Sequence, residues 1–174
     1  MDNIILVGYM GAGKSTVARE LRIRTGMTAI DTDYEIERIE GRKIKEIFAT
    51  DGEEAFRKME ENFLERLVIM NFHGIISTGG GMPIREENRF FMHQLGQVLY
   101  LKACAETIYE RIAEDESRPL LAGLTDRDAK IARIREMLEE RESFYTKAAD
   151  EIIPTDGMSP VQIAEEILLY MSYQ

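Results

Sequence analysis

Apolar and polar positions alternate in two rhythms along this chain, and the changes between them mark its elements. The short apolar runs Asn3-Ile4-Ile5-Leu6-Val7, Met27-Thr28-Ala29-Ile30, Ile75-Ile76-Ser77-Thr78, Gln97-Val98-Leu99-Tyr100-Leu101 and Glu151-Ile152-Ile153 predict five strands. Three- and four-residue spacings between them predict helices. One opens at Val17-Ala18-Arg19-Glu20-Leu21, two short ones lie over 34–49 with a break at Gly41, and a long one covers 53–72 after the turn Asp51-Gly52. Others are expected over 85–94, about 104–114, 130–145 and 160–170, the last with Pro160 in its first turn after Ser159. In the long helix Phe56, Met59, Phe63, Leu67 and Met70 form an apolar stripe, while Arg57 and Glu60 lie off it, three apart and able to meet.

Strands alternating with helices imply an α/β fold with a mainly parallel sheet covered on both faces. Ligands of such sheets collect outside the carboxyl ends of the strands. Gly8 to Ser15, Asp31 to Asp33 and Gly79 to Gly81 each follow a predicted strand, so the three are expected to converge on one crevice.

Composition narrows the function classes. The chain has 174 residues, 44% of them apolar, which suits a single domain over 1–174 with a substantial core. A formal net charge of −10 disfavours nucleic acid as a general partner, because such binding needs clustered Lys and Arg. No apolar run is long enough to span a bilayer, and no signal or transit peptide precedes the first strand, so a cytoplasmic, reducing setting without membrane association is expected. The single Cys104 cannot form an internal disulfide and is expected to be a buried structural thiol. His73 and His93 match no metal or triad spacing.

The first strand runs directly into Gly8-Tyr9-Met10-Gly11-Ala12-Gly13-Lys14-Ser15-Thr16, and a helix follows. That is the context in which GxxxxGK[ST] reads as a phosphate-binding loop. Glycines at 8, 11 and 13 let the backbone approach an anion, with successive N–H groups and the helix N-terminus aimed at it. Lys14 reaches the outer phosphates, and Ser15 stands where such loops ligate Mg²⁺.

Taken together, Gly11-Ala12-Gly13-Lys14-Ser15, Asp31-Thr32-Asp33, the segment from Ile47-Phe48 to Asp51-Gly52-Glu53, Phe56-Arg57 with Glu60, Gly79-Gly80-Gly81, Arg118-Pro119-Leu120-Leu121 and Arg141 ahead of Tyr145 resemble shikimate kinase, nearly end to end and in order. The resemblance implies the P-loop kinase fold of the nucleoside monophosphate kinase group: three layers, a central five-stranded parallel sheet, a substrate segment over 34–60 and a lid over 115–125. It implies Mg²⁺-dependent transfer of the ATP γ-phosphoryl group to the 3-hydroxyl of shikimate by a monomer. By the same resemblance Asp33 holds the shikimate hydroxyls and Asp31 supports Mg²⁺. Arg57 and Arg141 bind the carboxylate, Gly79, Gly80 and Gly81 form the substrate loop, and Arg118 approaches the transferring phosphoryl group. Gly11, Ala12, Gly13, Lys14, Ser15 and Thr16 hold the phosphates, and Arg111 and Pro160 flank the adenine. One departure lies after the last strand, where a family arginine is replaced by Met158.

Each residue taken alone has a plainer reading. Asp31 and Asp33 fit helix-capping acids before Tyr34, Arg57 and Glu60 a surface ion pair, the three glycines a turn, and Arg141 a solvated charge. Gluconate, another small polyol acid, would also suit two arginines, and a nucleotide switch without turnover would need only the phosphate loop. Asp33 and Arg118 speak against the switch.

Overall fold

A computed structural model describes residues 3–112 and 126–173. Five strands, β1 (Asn3–Val7), β2 (Ala29–Asp31), β3 (Ile75–Ser77), β4 (Gly96–Lys102) and β5 (Glu151–Pro154), form one sheet in the order β2-β3-β1-β4-β5, with every pair parallel. Among the described residues eight α-helices cover it: α1 (Lys14–Thr25), α2 (Thr32–Glu40), α3 (Ile44–Thr50), α4 (Glu53–Ile69), α5 (Glu86–Leu95), α6 (Ala105–Ile112), α7 (Arg127–Ala148) and α8 (Pro160–Met171).

The alternation of side chains along β1 divides the core in two. Ile4 and Leu6 pack with Val17 and Leu21 of α1 and Ile163 and Ile167 of α8. Ile5 and Val7 face the other way, onto Leu64 of α4, Met92 of α5, Ile108 of α6 and Ile134 of α7. Because both faces are covered, all five residues of β1 are buried, which explains the continuous apolar run from Ile4 to Val7. The buried Asn3 ahead of it is satisfied by hydrogen bonds, donating to Phe72 O and Leu95 O and accepting from the Gly74 N–H. β1 is central, flanked by β3 and β4, so the loop that leaves it opens where the chain's crossovers change direction.

Most element boundaries match the sequence expectations, and the exceptions have local causes. The long helix ends at Ile69 rather than at 72, because Asn71 takes a left-handed conformation (φ 50°). Met70 therefore falls outside the buried stripe and is 72% exposed. α7 begins three residues earlier than expected, where the Asp126 side chain accepts from the Ala129 N–H. A 3₁₀ turn over Met82–Ile84 follows the triple glycine and was not anticipated. Cys104 corrects the expectation of a buried thiol: it is exposed, immediately ahead of α6. The segment 115–125, read from the sequence as a lid, lies with Arg118 outside the described residues.

Candidate active site

The phosphate loop keeps its shape through its own backbone. Gly13, at φ 97°, caps α1 in a conformation that costs other residues a steric penalty, and the Ala12 N–H donates to Tyr9 O at 3.1 Å. Lys14 folds over the loop, its Nζ donating to Gly8 O at 2.7 Å and Tyr9 O at 3.1 Å. A cleft of about 580 Å³ opens above, lined on one side by Lys14, Ser15, Asp33 and Gly80 and on the other by Arg111, Met158 and Pro160. Thr16 also lines it.

At the end of β2, Asp31 does two things. Its Oδ1 accepts from the N–H groups of Asp33 (3.2 Å) and Tyr34 (3.3 Å), capping α2 as the plainer reading supposed. Its Oδ2 accepts from Ser15 Oγ at 2.8 Å and Ser77 Oγ at 3.0 Å, which ties the tips of β2 and β3 to the start of α1. This is a set of hard oxygen donors, and Mg²⁺ with its preference for one or two carboxylates plus water and phosphate oxygens fits it. Among the described residues no cluster of three or more His, Cys, Asp or Glu could hold a metal unaided. A cation at Ser15 and Asp31 would therefore take its other ligands from water and phosphate.

The triple glycine is where the remaining groups meet. A Cβ on Gly79 would overlap Asp33 Oδ1 and lie 3.2 Å from Glu60 Oε1, while one on Gly81 would lie 2.5 Å from both Nη atoms of Arg57. Gly80 stands between them, with Arg141 Nη1 4.0 Å from its Cβ position. Close approach thus requires glycine at 79 and 81, where the Asp33 carboxyl and the Arg57 guanidinium press on the backbone, while at Gly80 the neighbours stand at ordinary contact distance. Thr32 Oγ1 fixes the strip at one end by accepting from the Gly79 N–H at 2.9 Å. At the other end Asn88 and Arg89 of α5 donate to Met82 O, Pro83 O and Ile84 O.

Arg57 and Glu60 do pair, at 2.8 Å, but not on the surface: the Glu60 side chain is 0% exposed and that of Arg57 12%. Arg57 also donates to Glu53 through Nη2 (2.9 Å) and Nε (3.3 Å), so its plane is fixed from two sides. Burial pushes the Glu60 carboxyl up to about 7, with Asp33 adding to the rise and Arg57 only partly opposing it. Burial likewise raises Asp33 to about 6, helped by the neighbouring Asp31 charge and opposed by Lys14 and Arg57. Asp33 Oδ1 and Glu60 Oε1 are both buried and have no hydrogen-bond partner among the described residues. Two carboxyls that cannot readily ionise together, beside two fixed cations, make a site shaped for a ligand with hydroxyls and an anionic group. Spacing along α4 revealed that Arg57 and Glu60 could meet, but nothing in it signalled the depth at which they do.

At the opposite end of the cleft Arg111 donates to Ala12 O (3.0 Å), Thr155 Oγ1 (3.2 Å) and Thr155 O (2.8 Å), joining the phosphate loop to the turn after β5. These bonds use the edge of the guanidinium, and its face remains suited to stacking. Pro160 is the first residue of α8, behind the Ser159 cap.

The family model described as shikimate kinase matches residues 10–172. A shikimate kinase of Persephonella marina is 43% identical over 168 residues, covering 97% of this chain and 98% of the relative. That of Histophilus somni is 42% identical over 171 residues, covering 95% and 93%. Among solved structures, a shikimate kinase from Acinetobacter baumannii in complex with shikimate superposes with a TM-score of 0.86 at 36% identity, covering 100% of this chain and 95% of that one.

Proposed function

The chain belongs to the shikimate kinase family, and we propose that it transfers the γ-phosphoryl group of ATP to the 3-hydroxyl of shikimate, with Mg²⁺, as a cytoplasmic monomer. The observation that carries this reading is the meeting of Asp33, Arg57 and Arg141 on Gly79–Gly81, next to Ser15 and Lys14 of the phosphate loop.

In this reading the carboxylate of shikimate is held by Arg57 and Arg141, whose planar guanidiniums offer paired donors. That anchors one end of the ring and turns a hydroxyl toward Asp33, converting a bimolecular encounter into an aligned one. Asp33, raised to about 6 yet still mainly ionised at pH 7, accepts the hydrogen bond of the attacking hydroxyl. The loose transition state of phosphoryl transfer needs little base assistance, so orientation is its main contribution. Loop N–H groups and Lys14 hold the β- and γ-phosphates. Ser15 and Asp31 would hold Mg²⁺, which when bound supplies charge neutralisation on the phosphate oxygens. Arg118 is assigned to the transferring group, and Arg111 with Pro160 to the adenine.

The test is ADP release by the pure protein with ATP and Mg²⁺, offered shikimate, gluconate or no acceptor. Release only with shikimate supports the reading. Equal release with gluconate makes the protein a less selective polyol-acid kinase, and nucleotide binding without acceptor-dependent release makes it a switch.

A further inference from the structure

Tyr145 follows Arg141 by one helical turn and shares its face of α7. It is 1% exposed, and its hydroxyl donates to Gly80 O at 2.7 Å. Its ring stacks on Tyr100 of β4, with centroids 5.1 Å apart and planes at 29°. One turn before Arg141, Met137 Sδ accepts from Tyr9 Oη of the phosphate loop at 3.2 Å, and the Arg141 guanidinium lies over the Tyr9 ring at 5.6 Å. One face of α7 thus touches the phosphate loop, carries an acceptor-side arginine and grips the middle glycine of the substrate loop.

The grip on Gly80 matters because of what flanks it. The peptide between Gly80 and Gly81 has no side chain on either side, so sterics alone leave its plane free to turn. In a trans peptide the C=O and the following N–H point in opposite directions. A hydrogen bond that fixes Gly80 O therefore also fixes where the Gly81 N–H points. Burial pushes the Tyr145 phenol up to about 12 against the opposing Arg141 charge, so the donor persists across the working pH range.

We propose that the Tyr145 hydroxyl is a positioning group of the acceptor site: it locks the Gly80–Gly81 peptide and sets its spacing from Arg141, so that both meet the acceptor carboxylate in one geometry. This rests on the reading of Gly79–Gly81 and Arg141 as the acceptor side. Tyr145 is not among the residues that line the phosphate cleft, and in this proposal it acts through Gly80 rather than in the transfer itself.

Tyr145→Phe deletes the hydroxyl and keeps the stacked ring. KM for shikimate should rise about 5- to 50-fold, the range expected when one buried hydrogen bond is lost and its acceptor is left unpaired. kcat at saturating shikimate and KM for ATP should stay within about twofold, and the KM increase should be the same at pH 6.5 and pH 8.5. Tyr100→Phe is the control, because it removes another buried hydroxyl from the same stack, the one donating to Glu142 Oε2 at 2.7 Å. It should lower thermal stability and leave KM for shikimate unchanged. A Tyr145→Phe enzyme with wild-type KM for shikimate, or equal KM increases in both variants, overturns the proposal alone. A wild-type protein that does not turn over shikimate overturns the functional reading and the proposal with it.

Discussion

Arg57 Nη1 donates to Glu60 Oε2 at 2.8 Å inside the protein, so the arginine assigned to the substrate carboxylate also holds a buried glutamate. Removing it should therefore weaken the acceptor side and leave the nucleotide side unchanged. Loss of a charge-assisted contact in a closed site costs roughly 2 to 4 kcal/mol, so Arg57→Ala should lower kcat/KM for shikimate about 30- to 1000-fold. ATP affinity, measured by calorimetry, should barely move. If ATP affinity falls as steeply as shikimate turnover, Arg57 does not belong to the acceptor side.

Glu60 should make stability fall as pH rises. Its carboxyl titrates near 4.5 in the unfolded chain and at about 7 in the fold, so between these values the fold retains a proton that the unfolded chain releases. The contribution is fully present below pH 4.5 and is lost as pH rises through about 7. Glu60→Gln cannot titrate and still offers Arg57 an acceptor. Its denaturation midpoint should fall less than that of wild type between pH 5 and pH 8, a difference on the order of 1 to 3 kcal/mol. Parallel pH profiles for the two proteins would refute this.

Gly79→Ala places a methyl on the Asp33 carboxyl, and Gly81→Ala one on a guanidinium that Glu53 and Glu60 prevent from swinging away. Each should reduce kcat/KM for shikimate at least about tenfold, a displacement of aligned groups being costly in proportion to the alignment lost. Nucleotide affinity should be kept. Full activity in either variant would show that the glycine strip does not shape the acceptor site.

Chelation of divalent cations should abolish ADP formation. Asp31→Asn is the sharper probe, because Asn caps helices as well as Asp does, leaving α2 intact while weakening support of the cation. The Mg²⁺ concentration for half-maximal rate should rise about 10- to 100-fold. An unchanged Mg²⁺ titration removes Asp31 from the metal.

Arg118→Ala should lower kcat far more than it raises KM for shikimate, within the 10³- to 10⁵-fold range of arginine fingers in related transfers. Amides of 115–125 should exchange more slowly once ADP and shikimate are both bound. Equal exchange in free and ternary states, with kcat retained in the variant, makes the loop an ordinary connection.

The sequence alone determined the strand and helix succession, and with it a parallel sheet with its three chemical stretches at one end. These depend on contiguous signals: apolar runs for the strands, 3.6-residue periodicity for the helices, and a phosphate loop whose partners are its own backbone atoms. Tertiary structure decided what periodicity does not encode, namely which neighbour covers a given face. Glu60 looked like half of a surface pair and is fully buried, because α4 turns that side toward Asp33 and Gly79. Cys104 looked like core and is exposed, because its stretch is divided between the end of β4 and the start of α6. Tyr145 was one tyrosine in a charged helix until packing set its hydroxyl on Gly80, 65 residues away in the chain. Local spacing fixes which residues share a side of an element, whereas burial, and the pKa shifts and positioning that follow from it, depend on what the rest of the chain lays against that side.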